Sequence, residues 1–407
     1  MEKKVTRNGL YLILGQLTGR VVGFVYFIFL ARQLTVENFG VYAWVLGFVY
    51  NFLPVADLGI ERYILKNLPR QLDRAKEYFR DLLGLKIALA GTTFLLTASL
   101  GFILGLSSER LVSLIIFSLI FLPNNIIHLT TSFQNAREEV VTGVVANIFF
   151  SILGALMGAG AIFLGLDVIW LFVTYLVSLL ITSLGVIVRA KKLNLPLRPR
   201  FNKKVILLVW KECRFFAVLL VMGNFYLRLP LITIGQTMGD YWAGVYGSVS
   251  KFLETGVFIP QAVSLAMAPT FSRLLVQNKS QLKTIYHQVS LGVFFISLLP
   301  LAVFLFAGEA FIEIIYGERY LSAVSALKVL GLVLPLLFFN FLAANIIENS
   351  KKVKKFTPWA VGHFILVFLL AIFLPNKWGI AGGAASLLIG EVIRLGLNQS
   401  FVNKILK

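Results

Sequence analysis

Apolar runs of about twenty residues recur along this chain of 407 residues, and short charged stretches separate them. A helix that crosses a bilayer needs roughly 20 mainly apolar residues. By that ruler about twelve spans are expected, near 9–31, 39–61, 82–105, 111–134, 141–165, 169–188, 213–236, 242–272, 287–307, 323–347, 357–375 and 379–398. The expected class is an all-α polytopic membrane protein. Composition agrees: 58% of residues are hydrophobic and 14% charged, against roughly 45–50% and about 25% in soluble domains. The net charge of +19 does not point to nucleic acid, because the basic residues lie in short loops between apolar runs.

The loops alternate in charge. One set carries Lys3, Lys4 and Arg7, then Arg62, Lys66, Arg70, Arg74, Lys76 and Arg80, then Arg137. It continues through Arg189–Lys204 and Arg273, Lys279 and Lys283 to Lys351, Lys352, Lys354 and Lys355, and closes with Lys404 and Lys407. The other set carries only Arg32, Arg110, Arg319 and Lys377. Basic loops stay on the cytoplasmic side, so both termini are expected inside a cytoplasmic membrane. The polar N-terminus leads into an apolar run too long for a signal peptide, so the first helix is expected to be retained.

The stretch 191–211, with Leu195-Pro196-Leu197-Arg198-Pro199-Arg200, reads as a basic cytoplasmic linker lying on anionic headgroups. It separates an expected N-terminal six-helix lobe, 1–190, from a C-terminal one, 212–407. The halves look related. Phe39-Gly40-Val41-Tyr42-Ala43 matches Ala243-Gly244-Val245-Tyr246-Gly247, and each precedes an apolar run with a proline, Pro54 or Pro260. Repeats of this kind place a transporter's substrate site between halves.

Two arginines stand out. Arg20 lies about 11 residues into the first helix, or roughly 17 Å along it, close to the middle of a hydrocarbon core about 30 Å thick. Arg228 lies similarly deep in the seventh, after Asn224 and before Pro230. Charge at that depth is costly and faces a cavity or a bundle interior, where cations would attract an anionic cargo. Gln16 sits one turn before Arg20, beside a Gly15, Gly19, Gly23 ridge that lets a neighbouring helix approach. The alternative for Arg20 is structural pairing with an acid such as Asp57.

Asp57 and Glu61, four residues apart, are candidate counter-ions or ion-coupling groups. Lys86 is either a further cargo contact or a lysine that snorkels to the surface. Lys251 and Glu254 are expected to pair at i,i+3, as are Glu391 and Arg394; Lys251 is also a cargo candidate and Glu254 a coupling candidate. Asn124, Asn125 and His128 form a polar patch behind Pro123, for helix-to-helix hydrogen bonds or for sugar. Cys213 is the one cysteine, and His128, His287 and His363 have no ligand spacing, so neither a disulfide nor a metal site is expected. No P-loop, HExxH or acidic catalytic loop occurs, so neither an enzyme nor a cofactor is expected.

Leu30-Ala31-Arg32-Gln33-Leu34-Thr35-Val36-Glu37-Asn38-Phe39-Gly40-Val41-Tyr42 and Ala56-Asp57-Leu58-Gly59-Ile60 resemble the start of the Wzx-type polysaccharide-export flippases. These belong to the multidrug/oligosaccharidyl-lipid/polysaccharide exporter superfamily. Gly244-Val245-Tyr246, Lys251-Phe252-Leu253-Glu254 and Ile259-Pro260 resemble its second-half motif. Ile315-Tyr316-Gly317-Glu318-Arg319-Tyr320 resembles the turn before the tenth helix. The resemblance implies two six-helix lobes around a central cavity and alternating-access transport of a polyprenyl-diphosphate-linked oligosaccharide. It also implies a cationic diphosphate site, onto which Arg20 and Arg228 map, with Lys251 and Lys86 as weaker matches. Membrane lipids, and a polysaccharide polymerase or glycosyltransferases, are the expected partners. A cation-coupled multidrug exporter of the same superfamily and a non-transporting subunit of a glycan-export complex are the alternatives. Deep charges that are mostly basic disfavour the multidrug reading.

Overall fold

A computed structural model describes residues 2–70, 74–137, 139–350 and 352–406; Lys351 and Lys407 lie outside them. It is about 90% helical, and no strand occurs among the described residues. The expected all-α membrane class is borne out. Nine helical runs among the described residues are long and apolar enough to cross a membrane, so the count of twelve is not reproduced. Part of the difference lies at the C-terminus, where the spans expected at 357–375 and 379–398 fall in one run, Val353–Leu406, kinked at Trp378 and Gly379.

The chain forms two compact units. The first comprises residues 1–33 and 45–224, the second 34–44 and 225–407. The first unit is built from α1 (Glu2–Gln33), the later part of α2 (Val36–Asn51), α3 (Leu53–Asp57), α4 (Ile60–Asn67), α5 (Ala75–Ile103) and α6 (Ser108–Ser118). It continues with α7 (Phe121–Asn135), α8 (Val141–Phe163), α9 (Val168–Lys192) and the first two-thirds of α10 (Lys203–Thr237). Helix α1 packs on α8, α8 on α9, α9 on α7 and α7 on α5.

Small residues set the closest of these contacts. Gly15 faces Val144, and Gly19 faces Asn147 and Ser151, all on α8. The third member of the expected ridge is corrected: a side chain on Gly23 would meet no other element within 4 Å. The α2–α4 run is broken rather than continuous. Pro54, early in α3, has no N–H to give the preceding turn. Leu58 (φ 49°) and Gly59 (φ 81°) then adopt left-handed backbone, and the Asp57 carboxylate accepts the Gly59 N–H at 3.0 Å. A left-handed leucine costs on the order of 1 kcal/mol, and the Asp57 cap offsets it.

The 191–211 stretch is not a free linker. Its Leu195 is buried in a cluster with Phe79, Leu82 and Phe133. The Arg200 guanidinium donates to both oxygens of Asp81 on α5, Asn202 donates to the same carboxylate at 3.0 Å, and the Arg200 N–H donates to the Arg80 carbonyl at 3.0 Å. Asp81→Asn should release this clamp, because a charge-assisted pair is exchanged for a weaker neutral one. In the purified protein, tryptic cutting at Arg200, Lys203 and Lys204 is expected to speed up several-fold; an unchanged rate would mean that the apolar anchor alone holds the segment.

The second unit contains the start of α2, the end of α10, α11 (Asp240–Gly256), α12 (Phe258–Gln277), α13 (Lys279–Phe306), α14 (Gly308–Tyr316), α15 (Val324–Asn349) and α16 (Val353–Leu406). Helix α15 is its core, contacted by α11, α12, α13 and α16. The repeat seen in the sequence recurs in the backbone. Helices α2 and α11 begin at equivalent residues, Val36 and Asp240, and both break just before the proline-containing helices α3 and α12. Their first turns cross reciprocally: a side chain on Gly40 would meet the Asp240 carbonyl, and one on Gly244 would meet the Val36 carbonyl.

Candidate functional site

The first unit holds a polar cavity of about 480 Å3. Gln16 and Arg20 of α1 line it together with Asn124, His128 and Thr131 of α7, Asn147, Phe150 and Ser151 of α8, and Tyr175 and Thr182 of α9. Its volume lies within the roughly 300–1,000 Å3 of small-molecule sites, but those are mainly apolar. Here amides and hydroxyls dominate, and Arg20 and His128 are the basic side chains among the lining residues. Tyr175 packs edge-on against Phe150 with ring centroids 4.9 Å apart, and its hydroxyl meets that of Tyr50 at 2.5 Å.

Behind the α7 wall lies an ion-pair ladder. Lys86 Nζ is 2.5 Å from Asp57 Oδ1, and the lysine side chain is 1% exposed. Asn125 completes the pair. Its Oδ1 accepts from Lys86 Nζ at 3.3 Å, and its Nδ2 donates to the carbonyls of Ala56 (3.0 Å) and Lys86 (2.9 Å). One turn along, Glu61 Oε1 is 2.8 Å from His128 Nδ1. The backbone break at Leu58–Gly59 lets Asp57 and Glu61, four residues apart, take different partners.

Sequence-based expectations fare differently at these positions. Gln16, Arg20 and Asn124 do line one cavity. Lys86 does not snorkel; it is sealed inside the unit, because Asp57 and Asn125 satisfy it there. Asn125 is 2% exposed and turns its amide to α3 and α5 rather than to the cavity, so the sugar-facing reading is corrected. Asp57 serves Lys86, and Glu61 serves His128. Asn147, Ser151, Tyr175 and Thr182 escaped the sequence reading. The i,i+4 run Gly143, Asn147, Ser151 on α8 was the available signal.

In the second unit Arg228 Nε meets Glu254 Oε1 at 2.8 Å, and Lys251 Nζ lies 3.6 Å from Glu254 Oε2. Two cations thus share one carboxylate. The expected Glu391–Arg394 pair is present at 3.3 Å, and Asn340 Nδ2 donates to the other carboxylate oxygen at 2.6 Å. No group of His, Cys, Asp and Glu suited to a metal occurs among the described residues.

Such a fold and cavity define a polytopic helical membrane protein with a polar cavity inside one of its two units. Residues 5–275 match the family model described as "Polysaccharide biosynthesis protein", and the chain belongs to that family. It is 22% identical to the capsular polysaccharide biosynthesis protein CapF of Staphylococcus aureus, over 96% of this chain and 97% of that one. Among solved structures it superposes on an inward-facing MATE-family multidrug resistance transporter of the MOP superfamily, with TM-score 0.77 and 14% identity over 95% of each chain. It also superposes on the lipid II flippase MurJ in an inward closed conformation, with TM-score 0.72 and 14% identity over 97% of this chain and 87% of that one.

Proposed function

We propose that this protein is a flippase that carries a polyprenyl-diphosphate-linked oligosaccharide across the cytoplasmic membrane by alternating access, for surface polysaccharide synthesis. The observation that carries this reading is the cavity itself: a membrane-embedded polar chamber with an arginine in its wall. A guanidinium offers a planar fork for two phosphate oxygens. Amides and hydroxyls on three further helices suit sugar hydroxyls, and Tyr175 and Phe150 offer ring faces. Family membership and the capsular relative favour a glycan cargo over a drug. Arg228 and Lys251, which share Glu254, form a second proposed anion contact. Both termini are assigned to the cytoplasm by the positive-inside pattern. The polymerase or glycosyltransferases of the same route are the proposed partners.

The test is flipping of a fluorescent polyprenyl-diphosphate oligosaccharide in proteoliposomes. Arg20→Gln removes charge-assisted bonds worth about 1.5–3 kcal/mol and should slow flipping by about 10–100-fold, with the protein still folded. Arg228→Gln should slow it less, since Glu254 already neutralises part of that charge. Full activity in both variants would return the arginines to structural roles.

A further inference from the structure

His128 is the one lining residue that is both ionisable near neutral pH and held by a carboxylate. Its side chain is 46% exposed and its Nδ1 lies 2.8 Å from Glu61 Oε1. That bond fixes the tautomer: Nδ1 keeps its hydrogen and donates it to Glu61. In the neutral ring Nε2 is therefore a bare acceptor. Such a lone pair repels phosphate oxygens, which are acceptors too. Protonation turns Nε2 into a donor and adds a positive charge in the cavity that Arg20 also lines.

The charges around the ring are few. Glu61 on α4 faces it directly, and Asp57 on α3 and Lys86 on α5 act on it from behind, where they compensate each other. Arg20 of α1 shares the cavity, while α8 and α9 contribute the neutral side chains of Asn147, Ser151, Tyr175 and Thr182. The ring's proton occupancy thus answers to Glu61, which it touches, and to whatever anion enters the cavity.

We propose that His128, carried by Glu61, is a further headgroup contact in the first unit: Nε2 takes a proton from cavity water as the diphosphate enters, donates it in a hydrogen bond to a phosphate oxygen, and returns it to water as the diphosphate leaves. The inference rests on the headgroup reading above. Cargo and proton then bind together, each tightening the other by the same factor. Glu61 is a positioning residue here and is not itself in contact with the cargo.

The test is calorimetric binding of a short-chain prenyl-diphosphate-linked N-acetylglucosamine to the full-length protein in nanodiscs. The probe's diphosphate diester does not titrate near neutrality, so any linkage comes from the protein. Titrations run between about pH 5.5 and 8, where an ordinary histidine changes charge, in buffers of differing ionisation enthalpy. Wild type should bind more weakly as pH rises, and on the alkaline side of the transition it should take up about one proton per ligand. His128→Gln should bind at the weak, high-pH level throughout, with no proton uptake. Glu61→Gln, which keeps an oxygen acceptor for Nδ1 but removes the charge, should move the transition to lower pH. A pH dependence that persists in folded His128→Gln, or an unmoved transition in Glu61→Gln, overturns the His128 contact while leaving the headgroup reading standing. No binding by wild type at any pH overturns both.

Discussion

Lys86→Met is expected to destabilise the protein by about 3–5 kcal/mol, the usual cost of removing one partner from a buried ion pair. Methionine keeps most of the apolar stem of the side chain, so packing loss contributes little. What is lost is the donor that serves Asp57 Oδ1 and Asn125 Oδ1 at once. Asp57 is only 17% exposed, so water cannot fully replace the ammonium. The carboxylate also accepts from the Gly59 N–H, so the damage reaches the left-handed turn that orients α4 and Glu61. Lys86→Met combined with Asp57→Leu should recover much of the loss, because an apolar pair of similar volume avoids the uncompensated charge. Thermal unfolding of the purified protein in detergent checks both variants. Equal melting temperatures for Lys86→Met and wild type would mean that the pair is hydrated and contributes little.

The membrane class and the position of most helices were legible because apolar run length answers directly to bilayer thickness. The α2–α4 discontinuity was missed: one span was expected over 39–61, although Pro54 and Gly59, which interrupt it, stood in plain sight inside that run. The repeat was legible in Gly-Val-Tyr because the residues that let two backbones touch cannot vary freely. Pairings within one helix, Lys251–Glu254 and Glu391–Arg394, followed from i,i+3 spacing. Pairings between helices did not. Glu254 was matched with its local lysine, and its shorter contact to Arg228 comes from a different helix that no spacing rule relates to it. Lys86 failed for the same reason, since its partners stand on α3 and α7. The cavity wall on α8 and α9 stayed hidden because hydroxyls in apolar helices ordinarily bond their own backbone. Ser151 does so to the Asn147 carbonyl at 2.8 Å, and Thr182 to that of Ser178 at 2.8 Å. Lining a cavity and closing a local hydrogen bond look identical in one dimension.

Alanine at Gly40 or at Gly244 is expected to be among the most damaging single-methyl additions in this chain. A Cβ on Gly40 falls on the Asp240 carbonyl and the Gly244 nitrogen, and a Cβ on Gly244 falls on the Val36 carbonyl and the Gly40 nitrogen. The obstacles are backbone atoms, so no rotamer change can relieve the overlap and the two helices must separate. Separation is resisted on every side of the 34–44 segment. Trp44 Nε1 donates to the Ile232 carbonyl at 3.0 Å, Arg319 donates to the Leu34 carbonyl at 3.1 Å, and Phe39 packs edge-on against Tyr320. Overpacking a tight core typically costs about 1–3 kcal/mol and occasionally more; with rigid backbone on both sides, the upper end is expected for each alanine. Because the contact is reciprocal, the separation that admits one methyl makes room for the other. The double variant should therefore cost clearly less than the sum of the singles, the non-additivity expected of residues in direct contact. Gly292→Ala, in a helix with nothing near its Cβ, is the control and should be neutral or stabilising by up to about 1 kcal/mol through helix propensity. Melting temperatures of the four variants against wild type decide the matter. Additive losses at Gly40 and Gly244, or alanines there as harmless as the one at Gly292, would show that the two helices do not meet at this crossing.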